Sequence, residues 1–164
     1  MKILNEVYVE FLSKSSNEAF SRTVVASFIS QLDPTISEVA DVKTAVSEAV
    51  TNAIIHAYEN REGLIRMKCV LYEDSVEILI TDTGRGIPNI DEAMQPLYTS
   101  KPHLDRSGMG FTIMENFMDG IEVLSEMNKG TEVKMYKKFN SLEGRETIEI
   151  SEIEAMGNHS MFQN

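Results

Sequence analysis

Cysteine is nearly absent: Cys69 is the only one in 164 residues, which excludes an internal disulfide and fits a reducing, cytoplasmic setting. Histidine is scarce as well. His56, His103 and His159 are too scattered to build a cysteine/histidine zinc constellation. Positive charge is in deficit, with 15 Lys and Arg against 26 Asp and Glu and a formal net charge of −11. That balance opposes the phosphate-driven contacts of nucleic-acid-binding proteins and of polybasic membrane anchors, so no direct nucleic-acid partner is expected. Long apolar runs are missing too. No segment approaches ~18 apolar residues, and Glu6 and Glu10 interrupt the N-terminus where a signal peptide needs an apolar stretch, so no membrane association is expected. What is present, 42% hydrophobic and 25% charged residues, suits one soluble globular domain with a real core.

Residues 3–12 alternate loosely between apolar and polar types and predict an opening strand. Ser15 and Glu18 have capping-box spacing before a helical pattern through Phe20, Val24, Phe28 and Leu32, which Asp33-Pro34 stops. Thr35 and Glu38 repeat that spacing and start a second helix, expected to run unbroken to Ala57. Leu64 to Asp82 reads as a β-hairpin turning at Glu73-Asp74. Gly84 to Gly110 is weakly patterned, with one short turn of helix near Asp91 to Met94, and is expected to be a functional lid. Met109 to Met118 predicts a helix, and Ile121 to Ser125 and Thr131 to Phe139 predict strands around an Asn128-Lys129-Gly130 turn. The folded domain is expected to span residues 1–139. Residues 140–164, with Glu143, Glu146, Glu149, Glu152 and Glu154 and few large apolar side chains, form an acidic tail. The ten methionines, Met109, Met114 and Met118 among them, are expected as adaptable core filler.

Four strings carry chemistry. In SEAVTNAIIHAYEN, Ser47 to Asn60, a helix of 100° per residue puts Glu48, Asn52, His56 and Glu59 in one sector, opposite Val46, Val50, Ala53 and Ala57. Such a stripe serves equally as a solvated helix face. An asparagine inside a helix is, however, a poor helix former and a good hard-cation ligand, so Asn52 one turn from Glu48 is able to pair a metal site with a general base. In TDTGRGI, Asp82 closes a strand and Gly84 and Gly86 follow; read alone this is also an ordinary turn. A strand-end aspartate can accept a hydrogen bond from an exocyclic amine, and the glycines let the backbone approach a flat ligand. In RSGMGF, Gly108 and Gly110 open the N-terminus of a helix toward anionic oxygens, or simply enter a helix capped by Ser107. Neither a Walker A loop nor a GxGxxG fingerprint is present. Lys101 and Arg106 stand before it, able to reach a terminal phosphate or to remain solvated. KGTEV, with Thr131, reads alone as a hairpin turn.

Taken in order, these strings resemble the N, G1, G2 and G3 boxes of the Bergerat-fold (GHKL) ATPases, a group that includes type II topoisomerases, mismatch-repair ATPases, histidine kinases and anti-sigma-factor kinases. The resemblance covers roughly residues 1–139. SEAVTNAIIH, SGMGFTIMENFMD, LDPT and TSKP are most similar to the anti-sigma-factor kinases of endospore-forming bacteria. It implies an α/β two-layer sandwich, with helices on one face of a mixed, mostly antiparallel sheet. It also implies ATP and Mg²⁺ as ligands. Asn52 would hold Mg²⁺, Asp82 would recognise the adenine amine, and Thr131 would lie near the base. Gly84, Gly86, Gly108 and Gly110 would shape the pocket, Lys101 and Arg106 would face phosphate, and Glu48 would orient or deprotonate the attacking hydroxyl. The implied activity is serine phosphorylation of an anti-anti-sigma partner, and the implied second role is sequestration of a sporulation sigma factor by an ATP-bound homodimer, with Arg22 at the partner contact. Ala57 departs from the pattern, which has glycine there. Two other readings stand beside this one: a nucleotide-gated binding module without phosphotransfer, and a histidine-kinase-type ATPase domain.

Overall fold

The computed structural model describes residues 1–96 and 109–140. Five strands form one sheet: β1 (Asn5–Leu12), β2 (Leu64–Leu71), β3 (Ser75–Asp82), β4 (Gly120–Glu126) and β5 (Gly130–Lys138). Their order is β1-β2-β3-β5-β4, and every pairing is antiparallel. The helices are α1 (Ser15–Ile29), α2 (Ile36–Asn52), the single turn α3 (Ile90–Ala93) and α4 (Gly110–Phe117). This is the expected α/β sandwich, with strand order placing β5 between β3 and the edge strand β4. No helix among the described residues is long and apolar enough to cross a membrane.

Alternation along the strands decides which face is covered. Ile65, Met67 and Cys69 of β2, Ile78 and Ile80 of β3, and Val133 and Met135 of β5 are buried beneath the helices. From above, α2 contributes Val42, Ala45, Val46, Ala49 and Val50, and α4 contributes Met114, which with Met118 is core filler as expected. Burying each large side chain is worth about 1.5–3 kcal/mol. The Cys69 thiol lies within this layer, and burial pushes its pKa up to about 12, so it stays protonated and inert. The opposite face carries ion pairs instead: Glu10 with Arg66 at 2.7 Å, Glu6 with Lys68 at 3.2 Å and Glu77 with Lys134 at 3.2 Å.

Two local expectations need correction. The Ser15–Glu18 capping box does not form: Lys14 is the N-cap and its side chain makes no capping bond. Glu18 instead accepts the Ser47 hydroxyl of α2 and pairs with Arg22, so a partner on another helix displaces the local one. The second box does form, with the Glu38 N–H donating to Thr35 Oγ1 at 3.2 Å and the Thr35 N–H donating to the Glu38 carboxylate at 2.8 Å.

The long helix is not one uniform helix. It is α-helical only to Asn52; Ala53–Ala57 wind a single wide π turn, closed by Tyr58 N–H donating to the Ala53 carbonyl at 3.0 Å. Glu59 and Asn60, both left-handed with φ of 53° and 59°, then end it. The extra residue in the turn shifts the helical register. Ala53 and Ala57, expected opposite the polar stripe, line the same cleft as Ala49, Asn52 and His56, as the i, i+3, i+4, i+7 spacing of one helix face allows. Single π turns of this kind are frequent at functional sites.

Candidate functional site

A cleft enclosing about 750 Å³ of empty space, counted to its open mouth, lies between the end of α2, the ends of β3 and β5, and the start of α4. Its walls are largely apolar, from Ala53, Ile80, Ile87, Phe111 and Val133, with Asn52, His56, Asp82, Arg85 and Thr131 as the polar groups.

Asp82 sits at the inner end of the cleft because β3 runs inward beside β5, and its cross-strand partner is Thr131. Only 7% of Asp82 is exposed, and its pKa is raised. Burial is the dominant cause; backbone hydrogen bonds from Gly84, whose N–H reaches Oδ1 at 2.9 Å, and from Thr131 oppose it. A buried carboxylate in an apolar wall is an acceptor suited to an amine of a flat ligand.

Asn52 lines the cleft and Glu48, one turn before it on α2, does not, but both side chains come close to Gly110 at the start of α4. A Cβ built on Gly110 would lie 3.2 Å from both terminal atoms of the Asn52 amide and 3.3 Å from Glu48 Oε2. The start of α4 therefore faces a carboxylate and an amide one helical turn apart on α2. The Asn52 amide oxygen is a hard donor of the type Mg²⁺ takes, and the described residues hold no group of three or more His, Cys, Asp or Glu suited to a metal ion. The site fits an ion that brings phosphate oxygens and water as its remaining ligands.

The other expected residues are distributed as follows. Gly84 lies behind the cleft against the π turn, where a Cβ would come within 2.5 Å of the Ala57 carbonyl oxygen. Gly86, at φ +80°, lines the cleft. Lys101, Arg106 and Gly108, with most of the expected lid, lie outside the described residues. Arg22 is on α1, away from the cleft lining, with Nε 3.0 Å from Glu18 Oε1 but without a well-aligned hydrogen bond, and its side chain is 41% exposed.

Sequence reasoning missed two residues that hold the cleft. The Tyr58 hydroxyl accepts the Thr83 N–H at 2.8 Å and donates to the Leu64 carbonyl. No pattern marks this tyrosine. The Ser125 hydroxyl joins Ile87 to the Gly130-Thr131 turn. Its signal is faint but present: in Ile121, Val123, Ser125 a polar residue takes the inward place of a period-two strand.

This architecture, with a buried strand-end aspartate facing a glycine-led helix across an open cleft, defines an ATP-binding domain of the Bergerat class. Residues 14–137 match the histidine kinase-like ATPase domain family. The anti-sigma F factor of Clostridium beijerinckii is 64% identical over 137 residues, spanning 83% of this chain and 96% of the relative. That of Clostridium kluyveri is 60% identical over 138 residues, spanning 84% and 97%. The chain belongs to the histidine kinase-like ATPase family and, within it, to the anti-sigma F factor group. Among solved structures, the RsbU and RsbW domains of a Mycobacterium tuberculosis protein superpose with a TM-score of 0.59 at 16% identity, covering 82% of this chain and 32% of that one. The catalytic domain of histidine kinase ThkA gives 0.51 at 17% identity, covering 81% and 96%. These two likenesses concern the fold.

Proposed function

We propose that the chain is an ATP-dependent protein serine kinase and an anti-sigma factor: its ATP-bound homodimer sequesters a sporulation sigma factor, and it inactivates an anti-anti-sigma partner by phosphorylating a serine. The observation that carries the kinase part is the approach of the Glu48 and Asn52 side chains to Gly110, which with Asn52 and Asp82 lines the cleft. Phosphoryl transfer asks a protein mainly for positioning and charge neutralisation. Asp82 and Thr131 would receive the base, and Asn52 would hold Mg²⁺ with the phosphates. Mg²⁺, when bound, neutralises phosphate charge. Glu48 would orient or deprotonate the acceptor hydroxyl, a general-base role worth about 10²–10⁴ in rate. Gly84 and Gly86 would shape the base end, Gly108 and Gly110 the phosphate end, and Lys101 and Arg106 would face the terminal phosphate. Residues 1–139 would be the ATP-binding domain and 140–164 an acidic extension.

The anti-sigma part rests on the relatives' names and on charge. A net −11 suits steering toward a basic partner surface such as a DNA-contacting sigma factor. Arg22, half exposed on α1 and outside the cleft, would be the partner contact.

Purified chain incubated with γ-labelled ATP, Mg²⁺ and the anti-anti-sigma protein tests this directly, with phosphoamino-acid analysis of the products. Label on a partner serine, lost in Asn52→Ala, is the expected result. Nucleotide binding with no label on any protein would favour a nucleotide-gated sequestering module, and label on a histidine would favour a histidine-kinase-type activity.

A further inference from the structure

One row of paired residues crosses the covered face of the sheet: Phe11, Ile65, Asp82, Thr131 and Ser125. It is apolar on β1 and β2 and turns polar on β3, β5 and β4, at the cleft. Asp82 and Thr131 line the cleft, whereas Ser125 stands one strand behind them. The Ser125 hydroxyl meets three groups. The Ile87 N–H donates to it at 2.8 Å, Thr131 Oγ1 lies 2.8 Å away, and it reaches the Gly130 carbonyl at 3.1 Å.

A hydroxyl has one proton and two lone pairs. If the Ser125 proton goes to the Gly130 carbonyl, its two lone pairs take the Ile87 N–H and the Thr131 O–H, and all three contacts are hydrogen bonds. If instead Ser125 donates to Thr131, the bond to Gly130 is given up. The first arrangement is favoured by one hydrogen bond, and it directs the Thr131 proton at Ser125 rather than into the cleft.

We propose that Ser125 is a positioning residue for base selection: by holding the Thr131 proton, it makes Thr131 Oγ1 present lone pairs beside the Asp82 carboxylate. Two acceptors side by side fit the 6-amino group of adenine. They repel the 6-oxo group of hypoxanthine or guanine, which offers lone pairs of its own. Without Ser125 the Thr131 hydroxyl is free to rotate and donate to a 6-oxo group, so discrimination falls. The inference rests on the adenine-nucleotide reading of the cleft given above.

Calorimetric titration of the full chain with ADP and with inosine diphosphate tests it, on wild type, Ser125→Ala, Ser125→Val and Ser125→Thr. Valine and threonine have the same shape and both suit a strand, so that pair isolates the hydroxyl even if alanine fails to fold. Wild type should prefer ADP. The alanine and valine variants should narrow the ADP-to-inosine-diphosphate preference about fivefold, the worth of roughly one hydrogen bond, and threonine should restore it. An unchanged preference in a folded valine variant, or equal weakening of both nucleotides, overturns the proposal while leaving adenine binding intact. Failure of wild type to bind ADP would overturn the adenine-nucleotide reading itself, and the proposal with it.

Discussion

Tyr58 and Thr83 meet at a single phenolic oxygen, which accepts the Thr83 N–H at 2.8 Å. The contact ties the end of the π turn to the residue between Asp82 and Gly84. The same hydroxyl donates to the Leu64 carbonyl and lies 3.2 Å from Thr83 Oγ1, so one side chain fixes the entry of β2 and the exit of β3 together. The Tyr58 ring is buried beneath these contacts.

Tyr58→Phe keeps the ring and removes that oxygen, leaving the Thr83 N–H and the Leu64 carbonyl without this partner. Leu64 and Thr83 are themselves exposed, so water can take over the freed groups, and the variant should lose about 0.5–1.5 kcal/mol, the net worth of one hydrogen bond. Urea denaturation at constant m-value measures it. Because the released backbone carries Asp82, ADP affinity should fall in the same variant.

What was legible in the sequence followed from periodicity and from glycine. Alternation around Met67 and Ile78, helical spacing around Val46 and Phe28, and the turn at Asn128 to Gly130 lead to the observed elements, because each is decided by neighbours close in the chain. The Ser15–Glu18 box fails for the opposite reason. Its glutamate is drawn off by Ser47, 29 positions away, and no local rule contains that partner. The π turn was illegible as well: Ala53 to Ala57 has ordinary helical residues, and the wider winding shows itself only where Gly84 and Arg85 pack against Ala57. Asp82 and Asn52 stood out as residues out of keeping with their surroundings, one closing an apolar strand and one inside a helix. Tyr58 acts on backbone groups, which look alike in every residue, so its role emerges only from the fold, whereas Ser125 left one faint sign, a polar residue at an inward place of β4.

Gly84 has a packing reason that is independent of any ligand. Its Cα faces the π turn so closely that an added Cβ would fall 2.5 Å from the Ala57 carbonyl oxygen and 2.6 Å from its Cβ. Gly84→Ala should therefore destabilise the chain by about 1–3 kcal/mol, the range for overpacking. Adding Ala57→Gly should recover only a minor part, since it removes the Cβ contact and leaves the nearer carbonyl oxygen. Thermal or urea unfolding of the two variants separates these contributions.

Gly110→Ala should behave differently. The atoms its Cβ would approach, 3.2–3.3 Å away, are the ends of the Asn52 and Glu48 side chains, which can turn aside. Alanine also suits a helix better than glycine, though at Gly110, the first residue of α4, by less than the ~1 kcal/mol of a helix interior. The melting temperature should therefore hold or rise, while the proposed phosphotransfer falls about ten- to a hundredfold because the two side chains are displaced from the end of the cleft proposed to take the phosphates. A parallel loss of stability and activity would instead mean that α4 itself had shifted.

Asp82 ties function to stability through its charge. Burial raises its folded-state pKa, mainly by desolvation, so its ionised form is disfavoured in the fold relative to the unfolded chain. A group shifted in this sense contributes stability that is fully present below its unfolded pKa and is lost as pH rises through the folded one. Placing the Asp82 charge at the inner end of the cleft therefore costs the nucleotide-free chain stability at neutral pH. Asp82→Asn removes that charge and retains an oxygen able to accept the Gly84 N–H. The variant should melt at a higher temperature than wild type at pH 7, and the advantage should shrink as acidification protonates the wild-type carboxyl. Its amide must at the same time lose one acceptor toward an adenine amine, so ADP should bind more weakly at pH 7. Melting curves from pH 4 to pH 8 with and without ADP test both signs together: a variant that is less stable at neutral pH would show that the backbone hydrogen bonds from Gly84 and Thr131 outweigh the burial.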